Sequence, residues 1–140
     1  MTITLTKVTY ATSATAKGAR EGHVKSADGV IDLDLGWPGS PGGPKANPET
    51  LFAAGYSACF QGALTLTARS NGVDASDSTV TAEVSFGPSE DGGFGLAVEL
   101  QVTIPGVEAE RTRELVEIAH QVCPYSKATR GNIHVTLTVV

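Results

Sequence analysis

Hydrophobic and polar positions alternate with two different periods along this chain, and their order predicts its elements. Residues 2–35 read as β structure. Val8 to Ala16 is rich in Thr and small residues with weak alternation, which suits a strand with one solvated face. The tight segment Lys17-Gly18-Ala19-Arg20-Glu21-Gly22 leads into a short strand at His23 to Ser26, and Asp28-Gly29 is a hairpin signal. Beyond it Ile31, Leu33 and Leu35 share one face while Asp32 and Asp34 take the other, as in a meander of short antiparallel strands. Gly36 to Ala46 holds three Pro and four Gly in eleven residues, a loop without regular structure and long enough to suggest a functional role.

At Asn47 the period changes. Asn47 suits an N-cap, Pro48 the first helical position, and Glu49 places an anion in the positive first turn. Apolar or small residues then occupy nearly every face through Leu51, Ala54, Ala58, Ala63 and Leu66, the pattern of a buried helix. The stop at Ser70-Asn71-Gly72 gives it about 23 residues, or about 34 Å. Gly55 and Gly62 lower its intrinsic stability, and close approach of another backbone is one reason to keep them. Period two returns at Val80, Ala82, Val84 and Phe86. After the turn at 88–93 it resumes at Leu96, Val98, Leu100, Val102 and Ile104, a long hairpin. Glu108 to Val122 is an amphipathic helix with its apolar stripe at Leu115, Ile118 or Ala119, and Val122. Cys123-Pro124 ends it, because proline disfavours helical geometry in the residue before it, so Cys123-Pro124-Tyr125-Ser126 is expected to be irregular and movable. Ile133, Val135, Leu137 and Val139 close the chain as a strand. The sum is one α+β domain over residues 1–140 with mainly antiparallel pairing. One sheet and one amphipathic helix barely cover a helix apolar all round, so a second subunit is expected to complete the cover.

Composition narrows the class. With 140 residues, 41% of them hydrophobic, the chain can bury a real core, and only 6% aromatic content leaves that core to Val, Leu, Ile and Ala. A net charge of -5 without a Lys/Arg cluster argues against nucleic acid. No apolar run is long enough for a membrane span, and Met1 to Lys7 lacks the basic-then-apolar pattern of a signal peptide, so a cytoplasmic protein with no membrane partner is expected.

Two cysteines, Cys59 and Cys123, are too few for a disulfide framework, and neither lies in a CxxC pair. Only His120 is near enough in sequence to suggest a metal, and structural zinc sites need four ligands at tighter spacing. Each cysteine has an inert reading as a small core residue; a two-cysteine redox couple is the alternative. A nucleophilic cysteine acts as thiolate and a nearby cation lowers its pKa. Arg20, between Gly18 and Gly22 on a backbone expected to be flexible, is the candidate cation, against the plain reading of a solvated surface arginine. Glu49 lies about 15 Å from Cys59 along the helix. An arginine reaching between them could bridge the two, although on spacing alone capping of the helix dipole is the better account of Glu49. Trp37 is either a plug on the core edge or a wall of an apolar pocket.

Three segments carry a family resemblance. Asn47-Pro48-Glu49-Thr50-Leu51-Phe52-Ala53-Ala54-Gly55-Tyr56-Ser57-Ala58-Cys59-Phe60 resembles the signature helix of the organic hydroperoxide resistance proteins of the OsmC-like superfamily. Ala119 through Cys123-Pro124-Tyr125-Ser126 to Ile133 resembles their second cysteine segment, and Gly18-Ala19-Arg20-Glu21-Gly22 their N-terminal arginine motif. The matches fall in the family's order over nearly the whole chain. The resemblance implies the OsmC-like fold, with antiparallel sheets wrapped around a long buried central helix in an intertwined homodimer whose active sites lie at the subunit interface. It also implies a thiol peroxidase for organic hydroperoxides that works without metal, haem or flavin and draws electrons from a dihydrolipoyl-type dithiol or lipoylated protein. By motif position Cys59 would be the peroxidatic thiolate and Cys123 its resolving partner in a disulfide. Arg20 would stabilise the thiolate and Glu49 would hold Arg20. Trp37, Phe52, Phe60 and Tyr125 are the candidates for an apolar wall favouring alkyl or lipid peroxides. The chain departs from the family at Thr50, where Gln is common, and at Gly18-Ala19, where two glycines usually precede the arginine; both touch loop geometry and substrate preference. The rivals are an OsmC-branch peroxidase with a broader peroxide range, and a redox sensor or ligand-binding module that oxidises once without turnover.

Overall fold

A computed structural model describes residues 2–140, which form two compact units meeting at Pro48 and Glu49 in the sequence. The N-terminal unit contains one three-stranded antiparallel sheet of β1 (Ala14–Lys17), β2 (His23–Ser26) and β3 (Asp32–Asp34), in that order. The predicted strand from Val8 starts late: only Ala14 to Lys17 is paired, and residues 2–13 have no regular structure. With so few apolar residues in the Thr-rich run, nothing fixes its earlier half to the sheet. The Asp28-Gly29 turn forms as expected, with Gly29 at φ 76 and Asp28 accepting hydrogen bonds from the Ser26 hydroxyl and the Val30 amide. The segment after β1 is pinned, not flexible. A Cβ at Gly22 would lie 1.8 Å from the Lys17 carbonyl oxygen, and one at Gly18 would lie 2.9 Å from the Gly22 Cα. The two glycines let the backbone close on itself around a short 3-10 turn, Ala19–Glu21, that carries Arg20.

The other unit is built on α1 (Pro48–Ser70), which spans the predicted 23 residues. Its Tyr56, Phe60, Leu64 and Ala68 are wholly buried in a core shared with Val98, Leu100 and Val102 of β5 (Phe94–Thr103) and Leu115, Val116 and Ala119 of α2 (Ala109–Val122). Helical spacing at 56, 60, 64 and 68 and alternation at 98, 100 and 102 meet face to face, which is how the two periods in the sequence become one core. The opposite face of α1 is open in the single chain. Ala54, Ala58, Gly62 and Leu66 are exposed there, so the chain covers the helix on one side and leaves uncovered the face for which a second subunit was expected. On α2 the stripe is Thr112, Leu115, Val116 and Ala119, while Ile118 and Val122 face outward.

The sheet of this unit has the order β4-β5-β6. β4 (Thr79–Pro88) pairs antiparallel with β5, the long hairpin of the sequence pattern, but β6 (Val135–Val139) joins β5 in parallel. A parallel neighbour needs a crossover of a dozen residues or more. The chain from α2 onward supplies it, returning β6 to the end of the sheet where β5 began. The segment expected to be irregular after Cys123 is a short helix, α3 (Pro124–Thr129). Proline disrupts the residue before it, yet at the first position of a helix its fixed φ favours a start. Both effects act on the same bond: Cys123 is extended, at φ -62 and ψ 124, and α3 begins at once. Among the described residues no helix is long and apolar enough to cross a membrane.

Candidate active site

Cys59 and Cys123, 64 residues apart, come together in the second unit: the Cys123 thiol donates toward the Cys59 sulfur across 3.7 Å, and both are free thiols. Cys59 stands in the middle of α1 and is partly buried; Cys123 is wholly buried at the α2–α3 junction. The kink holds Cys123 firmly. Its amide donates to the Ala119 carbonyl as the last bond of α2, and its carbonyl accepts from the Lys127 amide as the first bond of α3.

Burial pushes the Cys59 pKa above its ordinary value, and the nearby Cys123 thiol adds to the rise. The Tyr125 backbone amide opposes both by hydrogen-bonding the sulfur, the kind of contact that favours a thiolate. This amide lies in the first turn of α3, two residues past the extended Cys123. Sequence reading missed it because a backbone donor leaves no side-chain signature; the Cys-Pro step was the available signal.

Three aromatic rings gather on the same side of α1. Phe52 lies 5.9 Å from Tyr56 and 6.3 Å edge-on from Tyr125, and Tyr56 lies 5.8 Å from Tyr125. Gly55 makes room for them: a Cβ there would stand 2.9 Å from the Tyr125 hydroxyl oxygen. The close neighbour anticipated for Gly55 is therefore a side chain, and for Gly62 the chain offers nothing within 4 Å. Phe60 is a fully buried core residue. Glu49 occupies the first turn of α1 and is half-buried.

In the N-terminal unit the Arg20 guanidinium sits 4.9 Å from the centre of the Trp37 ring, a cation–π contact that holds the arginine side chain against the loop. That loop borders an open pocket of about 430 Å³ lined by Trp37, Ser40, Lys45 and Asn47 among others. Ala19, beside Arg20, is the one non-glycine with positive φ (54) among the described residues. It is also the position where the sequence shows alanine in place of the glycine common in the family.

A second group of residues near the cysteines was not anticipated. The Tyr56 hydroxyl is 2.8 Å from the Ser126 hydroxyl and 3.0 Å from that of Thr129, and Ser126 Oγ is 2.8 Å from His120 Nδ1. All four side chains are buried. Burial, with the neighbouring Arg130 charge second, lowers the His120 pKa and favours neutral imidazole. No group of three or more His, Cys, Asp or Glu among the described residues is arranged to hold a metal ion.

The chain is similar to known proteins over most of its length. Residues 40–138 match the family described as OsmC-like protein. The organic hydroperoxide resistance protein of Xanthomonas axonopodis pv. citri is 47% identical over 137 residues, covering 95% of this chain and 96% of that one. The organic hydroperoxide resistance protein OhrA of Bacillus subtilis is 50% identical over 135 residues, covering 93% and 95%. The crystal structure of OhrB from Bacillus subtilis superposes with a TM-score of 0.90 at 44% identity, over 95% of this chain and all of that one.

Proposed function

The chain belongs to the OsmC-like family, among the organic hydroperoxide resistance proteins, and we propose that it detoxifies organic hydroperoxides as a cysteine-based thiol peroxidase. Membership implies peroxide detoxification; the cysteine cycle is our reading of the site. The observation that carries it is the 3.7 Å approach of two free thiols distant in sequence. Cys59 thiolate attacks the O–O bond, releasing the alcohol and leaving a sulfenic acid. Cys123 then displaces the hydroxyl as water, forming a Cys59–Cys123 disulfide. A dihydrolipoyl-type dithiol returns both to thiols, so the cycle uses no cofactor.

Cys59 needs help to ionise, since burial raises its pKa. We assign that role to Arg20 by its place in the arginine motif, with Glu49 fixing the guanidinium. Trp37, Phe52 and Tyr125 supply apolar surface suited to alkyl or lipid peroxides, with Phe60 packed in the core behind Cys59. A homodimer is proposed on the exposed face of α1, where Leu66 is 64% exposed, and on Ile3, Leu5, Val8 and Tyr10, each at least 65% exposed. The cytoplasm, where such a dithiol is kept reduced, is the compartment that suits the cycle.

Intact-mass spectrometry with one equivalent of cumene hydroperoxide tests the reading. Loss of two hydrogens, abolished by Cys59→Ser and replaced by an oxygen adduct in Cys123→Ser, is the expected outcome. An unchanged mass with both thiols still titratable would refute it.

A further inference from the structure

Cys59 and Cys123 are not the only pair linking α1 to the α2–α3 junction. Tyr56 precedes Cys59 by three residues on α1, and Ser126 follows Cys123 by three, so the Tyr56–Ser126 hydrogen bond is a second rung beside the thiol pair. His120, three residues before Cys123, closes the bracket from the other side through Ser126. Resting on the thiol peroxidase reading above, we propose that Tyr56, Ser126 and His120 form a positioning network that sets the rate at which Cys123 resolves oxidised Cys59.

The balance of that step shows what must be positioned. The Cys123 sulfur attacks the Cys59 sulfur, the S–S bond forms as the S–O bond breaks, and the hydroxyl leaves as water with the proton of the Cys123 thiol. The sulfurs must close from 3.7 Å to about 2.05 Å. Their resting separation lies just outside the near-attack range of about 3–3.5 Å, where misplacement by about 1 Å can slow a reaction about a hundredfold. Cys123 has no side-chain freedom to search, being wholly buried, so its placement depends on what fixes α3 to α1.

The network also stays satisfied whichever way its hydrogens point. With His120 Nδ1 unprotonated, Thr129 donates to Tyr56, Tyr56 to Ser126, and Ser126 to the imidazole. With Nδ1 protonated the chain reverses, and Thr129 turns to the Ser126 carbonyl, 3.4 Å away. No buried side-chain polar atom among the described residues lacks a partner. The bracket therefore holds Cys123 through either state of His120. The peroxidatic step draws on Cys59, the hydroperoxide, the Tyr125 amide and the proposed Arg20–Glu49 pair; none of the network's side chains takes part in it.

Single-turnover kinetics separate the two steps: dimedone trapping follows the sulfenic acid, and non-reducing mass analysis follows the disulfide. Wild type is measured first, and absence of both species there overturns the peroxidase reading and this proposal with it. In Tyr56→Phe, sulfenic acid should form within about twofold of the wild-type rate while disulfide formation slows about tenfold or more. Excess hydroperoxide should then drive more Cys59 to the sulfinic state. His120→Asn, which keeps a polar atom near the Nδ1 position, should restore most of the resolving rate that His120→Leu loses; this pair decides the matter should Tyr56→Phe fail to fold. Disulfide formation at the wild-type rate in Tyr56→Phe, or an equal slowing of both steps, would make the network packing alone and overturn the proposal.

Discussion

Replacing Gly55 by alanine sets two calculable effects against each other. Alanine in a helix interior gains about 0.5–1 kcal/mol over glycine. The new Cβ would stand 2.9 Å from the Tyr125 hydroxyl oxygen, 3.1 Å from Cε2 and 3.3 Å from Cζ, so the ring must move. Tyr125 is 42% exposed, and tipping it outward is easier than shifting α1 within a close-packed core. Tipping gives up the contacts with Phe52 and Tyr56, each worth about 0.5–1.5 kcal/mol. The loss of about 1–3 kcal/mol exceeds the gain, so Gly55→Ala should destabilise by about 1 kcal/mol, or lower Tm by about 3 °C for a chain of this size. Urea denaturation in two backgrounds isolates the cause. With the ring removed in Tyr125→Ala, the same Gly55→Ala change should stabilise by about 0.5–1 kcal/mol, because only the helix term is left. If Gly55→Ala has the same sign in both backgrounds, the ring does not occupy the notch and the reasoning fails.

Other consequences can be checked directly. On the role proposed for Arg20, Arg20→Ala should slow oxidation of Cys59 by cumene hydroperoxide about ten- to a thousandfold at pH 7, the loss expected when a thiolate-stabilising cation is removed, and stopped-flow measurement reads it; a rate within twofold of wild type would remove Arg20 from the mechanism. His23 bonds Asp34 at 2.8 Å and also Asp32, with Lys17 its register neighbour on β1 and Lys45 acting on Asp34. Its pKa is raised, chiefly by Asp34, while that of Asp34 is lowered by His23. The clasp is therefore complete below the ordinary histidine value and is lost as pH rises through the raised one; at the acid end it is lost as pH falls through the lowered Asp34 value. An NMR titration should place His23 above about 6.5, and a lower midpoint contradicts the clasp. Leu66→Glu should shift the protein toward monomer in light scattering; an unchanged mass would place the proposed interface elsewhere on the molecule.

How much of this was legible in the sequence depends on the kind of signal. The central helix, the long hairpin and α2 carry strong periodicity, and each appears within one or two residues of its expected bounds. What the pattern could not supply was pairing. Alternation at Val135, Leu137 and Val139 identifies a strand without its direction; the α2–α3 crossover is long enough to allow the parallel pairing of β6 with β5 but does not dictate it. Nor could the pattern say which residues of α1 the chain itself covers. Small residues such as Ala54, Ala58 and Gly62 read as core by composition, and in the single chain they lie on the open face, the side for which a second subunit was expected as cover. The meeting of Cys59 with Cys123 was an implication of motif position, because nothing in their spacing brings two sulfurs together. The network of Tyr56, Ser126, Thr129 and His120 was invisible since its members, taken singly, are ordinary polar residues.

The arginine segment shows most sharply where local reading stops. Two glycines flanking Arg20 suggested freedom, but each serves close backbone approach, and the residue that would gain from glycine is Ala19, at φ 54. A non-glycine residue in the left-handed region carries about 1–2 kcal/mol of strain, of which glycine's extra unfolded entropy would return about 0.5–1. The turn presenting Arg20 is thus both tightly closed and strained at its first residue. Such strain persists only where surrounding contacts over-determine the backbone. Here these are the Gly18–Gly22 closure and the Arg20–Trp37 stacking. The departure from the family's paired glycines therefore leaves the arginine in place while making its loop stiffer, and any movement of Arg20 must come from its side chain leaving Trp37 before it comes from the turn.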